Sequence, residues 1–138
     1  MQIYFMFVTK KGKITTVPVD KPENTVDIKI DAGSKICSLA TKNSVAYLGT
    51  EEGYVAKVDL NSKQIVGKYD SGSKLPIFNL KMVHQFIVLG TCQGELHEVD
   101  QDLKNSKVIS AHQAMVTMIH INGWKVFSVG DDFALRVW

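Results

Sequence analysis

Glu95 and His97 stand two residues apart, with Cys92 shortly before them. On an extended strand this spacing puts the carboxylate and the imidazole on one face, the beginning of a metal site. A tetrahedral site needs three or four converging donors and the sequence supplies no complete set, so the pair reads as a solvated strand face. His84 and His120 are single histidines in or beside apolar runs and read as surface or satisfied core positions. Cys37 and Cys92 have no CxxC partner, which suits idle or buried thiols more than a disulfide framework. An intracellular compartment follows, cytoplasmic with the nucleus left open.

Cationic side chains are the second candidate. Lys10, Lys11 and Lys13 cluster on one turn, and Lys35 and Lys74 each follow a Gly-Ser pair. Such lysines could meet a small ligand, a phosphoinositide headgroup, nucleic acid or an acidic partner; a solvated turn is the plainer reading. Gly33-Ser34-Lys35 and Gly72-Ser73-Lys74 lack the longer GxxxxGK[ST] pattern of a phosphate loop. Net charge is only +2, and Arg136 is the sole arginine among 16 cationic residues. Bidentate base and phosphate reading favours the guanidinium, so a nucleic-acid partner is not expected. No GxGxxG opens a helix, no HExxH occurs, and no carboxylates pair on a plausible pocket. Neither an enzyme nor a bound cofactor or metal is expected.

The elements carrying these residues repeat. Gly12, Gly53 and Gly94 are each 41 residues apart (53 − 12 and 94 − 53), and Thr9, Thr50 and Thr91 keep the same step. FMFVTKKGKITTV, AYLGTEEGYVAKV and IVLGTCQGELHEV superimpose, and FSVGDDFALRVW follows 39 residues after the third. In each copy an apolar run leads into a polar turn and then an alternating run, the pattern of a β-hairpin. Further β-rich runs flank each hairpin, at Ile36 to Leu39, Ile77 to Leu80 and Val116 to Ile121 upstream, and Val26 to Ile30, Gln64 to Lys68 and Lys107 to Ile109 downstream. No stretch carries a helical period. The apolar opening from Met1 to Val8 is too short to span a bilayer and lacks the features of a signal peptide, so it reads as a strand. Four short strands in about 40 residues is the arithmetic of a β-propeller blade. The chain is therefore expected to be all-β, with four-stranded antiparallel blades forming a single region, 1–138. Its repeats run approximately 1–34, 35–74, 75–113 and 114–138.

The last copy resembles the WD-repeat family. GDDFALRVW, from Gly130 to Trp138, looks like that family's blade ending, and Ala111-His112 sits where the family has Gly-His. Val58-Asp59 and Val99-Asp100 occupy the place of its Trp-Asp pair, and the earlier copies carry neither the His nor the Trp. The resemblance implies a buried structural hydrogen-bond network of His112, Ser128, Asp132 and Trp138. Such a set can be mistaken for a Ser-His-Asp triad, but a nucleophile needs an exposed, activated hydroxyl beside an oxyanion hole. It also implies a scaffold for protein-protein interaction, as part of a larger complex.

About fourteen strands make three and a half blades, a half-ring with unpaired edges. Two expectations stand side by side. Another chain or a second copy completes the ring, two copies making seven blades, or the 138 residues belong to a longer propeller.

Overall fold

The computed structural model describes residues 3–138, so Met1 and Gln2 of the expected opening strand lie outside the described residues. Fourteen strands form four antiparallel sheets in chain order. The first sheet holds β1 (Tyr4–Val8), β2 (Lys13–Pro18) and β3 (Val26–Lys29). The second holds β4 (Ile36–Lys42), β5 (Val45–Thr50), β6 (Tyr54–Asp59) and β7 (Gln64–Asp70). In the third are β8 (Asn79–Val83), β9 (Phe86–Gly90), β10 (Glu95–Asp100) and β11 (Ser106–Ser110). The fourth has β12 (Val116–Asn122), β13 (Lys125–Gly130) and β14 (Leu135–Val137). Every sheet is a meander in which sequence neighbours are ladder neighbours. Beyond strands, the described residues contain one 3-10 turn, Pro22–Asn24. The chain is all-β, built of partial propeller blades.

The threonine step has a local cause. The hydroxyls of Thr9, Thr50 and Thr91 accept the backbone N–H groups of Lys13, Tyr54 and Glu95 at 3.1, 3.2 and 3.1 Å, clasping the central hairpin of each sheet. Gly12, Gly53 and Gly94 close those hairpins with φ of +97°, +88° and +88°. That region admits glycine without steric cost. Asp31 and Asp70 make matching turns downstream, each carboxylate accepting the N–H of the glycine two residues on at 2.9 Å.

Three hydrophobic clusters lie between consecutive sheets. Ile14 and Ile28 of the first meet Ile36, Leu48 and Val58 of the second. Tyr47 and Val55 on the second sheet's opposite face meet Ile77, Leu89 and Val99. Val88 and Leu96 of the third meet Val116 and Ile119 of the fourth. The period-2 alternation thus buries both faces of an inner sheet, one on the preceding sheet and one on the following sheet.

Two expectations change. β8 begins at Asn79, not Ile77. Pro76 has no N–H to give a ladder, and Ile77 instead joins two sheets: its N–H donates to the Thr50 carbonyl at 3.1 Å and its carbonyl accepts the Ser38 hydroxyl at 2.5 Å. The ring arithmetic also changes. The 41-residue register matches β1 and β2 to β5 and β6, so the first sheet holds no counterpart of β4 among the described residues. The fourth likewise holds no counterpart of β7. Fourteen strands are three and a half blades' worth, but they occupy four sheets, so two copies supply eight sheets (four plus four) and not seven.

Candidate functional site

His112, Ser128, Asp132 and Trp138 come together where the third sheet meets the fourth. His112 lies just beyond β11, Ser128 is on β13, Asp132 is in the turn after it, and Trp138 follows β14. The Trp138 Nε1–H donates to Ser128 Oγ at 3.0 Å, Ser128 Oγ lies 2.8 Å from His112 Nε2, and His112 Nδ1 lies 2.9 Å from Asp132 Oδ1. An ionised Asp132 can only accept, which places the His112 proton on Nδ1 and leaves Nε2 to accept the Ser128 hydroxyl. The bonds then run in one direction from indole to carboxylate. Asp132 further accepts the N–H groups of Gln113 at 3.0 Å and Ala134 at 3.2 Å, tying two turns together.

Ser128 and His112 are buried, and Ser128 is 0% exposed. Its hydroxyl is engaged on both sides and no substrate reaches it. Trp138 differs from the expected buried position: it is 44% exposed, with its ring over a narrow cleft of about 120 Å³ lined by Val88, Leu96, Ile109 and Val126. Its place at the end of the third strand, the outermost of its sheet, leaves one flank of the indole uncovered.

The Asp132 carboxyl is held at about 2, through the Gln113 N–H first and then the His112 imidazole. A depressed carboxylate stabilises the folded state above its unfolded pKa, near 4, and loses that contribution as pH falls towards about 2. The parent is therefore expected to lose more stability than Asp132→Asn between about pH 4 and pH 2. Urea midpoints across that window check this. A constant gap between the two proteins contradicts it.

The Glu95–His97 pair is not a solvated face. His97 is buried at 2% exposure, its Nδ1 lies 2.7 Å from the Tyr69 hydroxyl of the neighbouring sheet, and its Nε2 lies 2.9 Å from Glu95 Oε2. Cys92 points elsewhere, its thiol donating to the Pro76 carbonyl. Burial pushes the thiols of Cys37 and Cys92 up. Among the described residues no three His, Cys, Asp or Glu side chains converge as metal ligands.

The loop lysines are scattered among acids. Lys13 pairs with Asp27 at 3.2 Å. Lys74 shares an open hollow with Lys68, Glu52 and Asp70. The Lys10 carbonyl accepts the N–H of Ile36 at 2.9 Å and so braces the junction of the first two sheets, while the Lys35 carbonyl accepts the N–H of Glu51 at 2.8 Å and prolongs the β4–β5 pairing. Lys11 is exposed beside Gly12.

Sequence reasoning missed one constellation, at the opposite end of the sheets. The β8–β9 and β12–β13 turns stack His84 on Trp124, with ring centroids 3.6 Å apart and planes at 22°. Lys42, the last residue of β4, donates its ammonium to the His84 carbonyl at 2.5 Å. Together with Gln85 and Phe86 they line an open hollow of about 370 Å³, and Trp124 is 73% exposed. The repeat held a signal for it: His84 and Gly123 are 39 residues apart, the step that places one turn beside the next.

No family model and no curated protein matches the sequence. The fold, however, is similar to many solved structures. A chain in the crystal structure of the computationally designed Ika4 protein superimposes with a TM-score of 0.81 at 19% identity, over 98% of this chain and 84% of that one. A chain of the mitotic checkpoint complex gives 0.78 at 16%, covering 99% of this chain and 44% of that one. The structure of U3-55K gives 0.83 at 12%, covering 98% and 45%. This chain thus spans less than half the length of the latter two. At such identities the likeness concerns the fold. No helix among the described residues is long and apolar enough to cross a membrane.

Proposed function

We propose that this chain is a protein-interaction scaffold of the WD-repeat type, without catalytic chemistry, working in a larger assembly. The His112–Ser128–Asp132–Trp138 relay supports the family assignment. Resemblance in fold to a chain of a multi-protein checkpoint complex supports the scaffold role by analogy. The observation that carries the reading is Trp124, an exposed indole held flat by His84 at the rim of an open hollow. A tryptophan whose ring is already fixed loses little freedom on docking, and tryptophan is enriched among the residues that dominate interface energies. A protein partner therefore docks on the turn end that carries Lys42, His84, Phe86 and Trp124.

The test compares affinity capture by the parent and by Trp124→Ala. At least one captured protein is expected to be lost, or weakened by about tenfold or more, while melting stays within about 1 kcal/mol of the parent. Identical capture by the two proteins overturns the docking site.

A further inference from the structure

We propose that the segment docking in the Trp124 hollow is an acidic peptide stretch of a partner protein, with an apolar side chain laid on the indole and carboxylates facing the lysines of the neighbouring turns. The inference rests on the docking reading above and adds the chemistry of the partner. β4, β8 and β12 lie against one another in order, so the turns that follow them come together at one end of the sheets. The openness of the hollow belongs to this turn end. Lys42, His84 and Gln85 stand on the second and third sheets, each of which is packed on both faces. Gln85 holds the Trp124 position 39 residues earlier (124 − 85) and is exposed although the fourth sheet follows it.

Charge at this end is segregated. The stretches 41–44, 81–86 and 122–125 carry Lys42, Lys81 and Lys125 and no Asp or Glu. None of the ion pairs among the described residues includes Lys42. Its ammonium gives one proton to the His84 carbonyl, which holds it at the edge of the hollow, and keeps two donors for another acceptor. The acids of the same end lie on the outer turns and are already engaged. Asp59 accepts the N–H groups of Asn61 and Ser62 at 2.8 and 3.3 Å. Asp100 accepts the Lys104 N–H at 2.9 Å and the Asn105 side-chain amide at 2.8 Å, and Asp102 faces Lys57 at 3.8 Å. A fixed indole beside an uncompensated ammonium suits an apolar side chain flanked by carboxylates, and such complementarity selects partners by charge. A nucleic-acid strand fits less well. Asp100 stands directly opposite Phe86 in the β9–β10 ladder, so a phosphate backbone running outward from the hollow meets a carboxylate within one strand spacing.

The test is selection of short random peptides displayed on phage against the full 138-residue chain and against Trp124→Ala. Peptides enriched on the parent alone are expected to be rich in Asp and Glu around an apolar residue. The best of them, synthesised with a fluorescent label, should bind about tenfold more weakly to Lys42→Glu and keep its affinity within about threefold on Lys42→Arg. Raising salt from about 0.1 to about 1 M, which shortens the screening length from about 10 to about 3 Å, should weaken it similarly. Trp124-dependent peptides that are neutral or basic, or that ignore both Lys42→Glu and salt, overturn the acidic partner and leave the docking site standing. A single strand of oligo-dT that binds the parent more tightly than the peptide, and is lost in Trp124→Ala, overturns the choice of a peptide. If no peptide distinguishes the parent from Trp124→Ala, the docking site itself fails and this inference with it.

Discussion

Leu48→Ala is expected to lower the stability of this chain by about 3 kcal/mol. Leu48 is fully buried on β5, with Ile14, Ile28 and Val58 around it. Removing its branched end takes away both transfer energy and contacts, and the site cannot collapse freely. β4 and β6 pin β5 on both sides, Leu48 being paired with Leu39 and with Ala56, so the backbone cannot move into the space. That loss would be a large share of a total on the order of 5–15 kcal/mol. Urea denaturation gives the difference, with Val66→Ala on the exposed side of β7 as a control expected within about 0.5 kcal/mol of the parent. If Leu48→Ala lies as close to the parent as that control, the first inter-sheet cluster is not the packed core described above.

Gly94→Ala is expected to cost as much, about 3 kcal/mol or more, for a different reason. The residue sits at φ +88°, and an added Cβ would lie 2.1 Å from the carbonyl oxygen of His112 and 2.6 Å from that of Ala114. Backbone has to give way. The Gly94 carbonyl also accepts the N–H groups of Ala111 and His112, so a shift there carries the imidazole away from Ser128 and Asp132. Phe133 supplies the comparison. It occupies the corresponding place 39 residues on, at φ +62°, and is fully exposed with no fourth strand passing over it. Phe133→Gly should therefore stay within about 1 kcal/mol of the parent. Should Gly94→Ala unfold at the parent's midpoint, the close approach of the hairpin to the His112 backbone is wrong.

The repeat was legible because its causes are local. Threonine clasps, positive-φ glycines and period-2 alternation each act within one hairpin, and together they define sheets before any packing is known. What crosses between sheets was harder to read. Tyr69 lies 28 residues from His97, on another sheet, so nothing adjacent in sequence marks it as the partner that turns His97 into a buried junction residue. The use of Ile77 as a brace rather than a strand residue depends on Thr50 and Ser38 in the preceding sheet. For the relay the sequence identified residues that the fold draws within hydrogen-bond distance, but it did not foresee how much of Trp138 stays uncovered. That depends on the strands beside it. The Trp124–His84 stack escaped notice because Asn122-Gly123 reads simply as a tight turn, and the neighbouring turn that completes the stack belongs to the previous repeat.

The three hydrophobic clusters have a dynamic consequence. Each belongs to one junction and none extends across three sheets, so cohesion accumulates by nearest neighbours, as in stacked-repeat proteins. Within one copy the second and third sheets are clamped from both sides, while the first and fourth are held from one. For this chain by itself local opening is then graded, and backbone amides of β5 and β9 exchange with solvent far more slowly than those of β1 and β14.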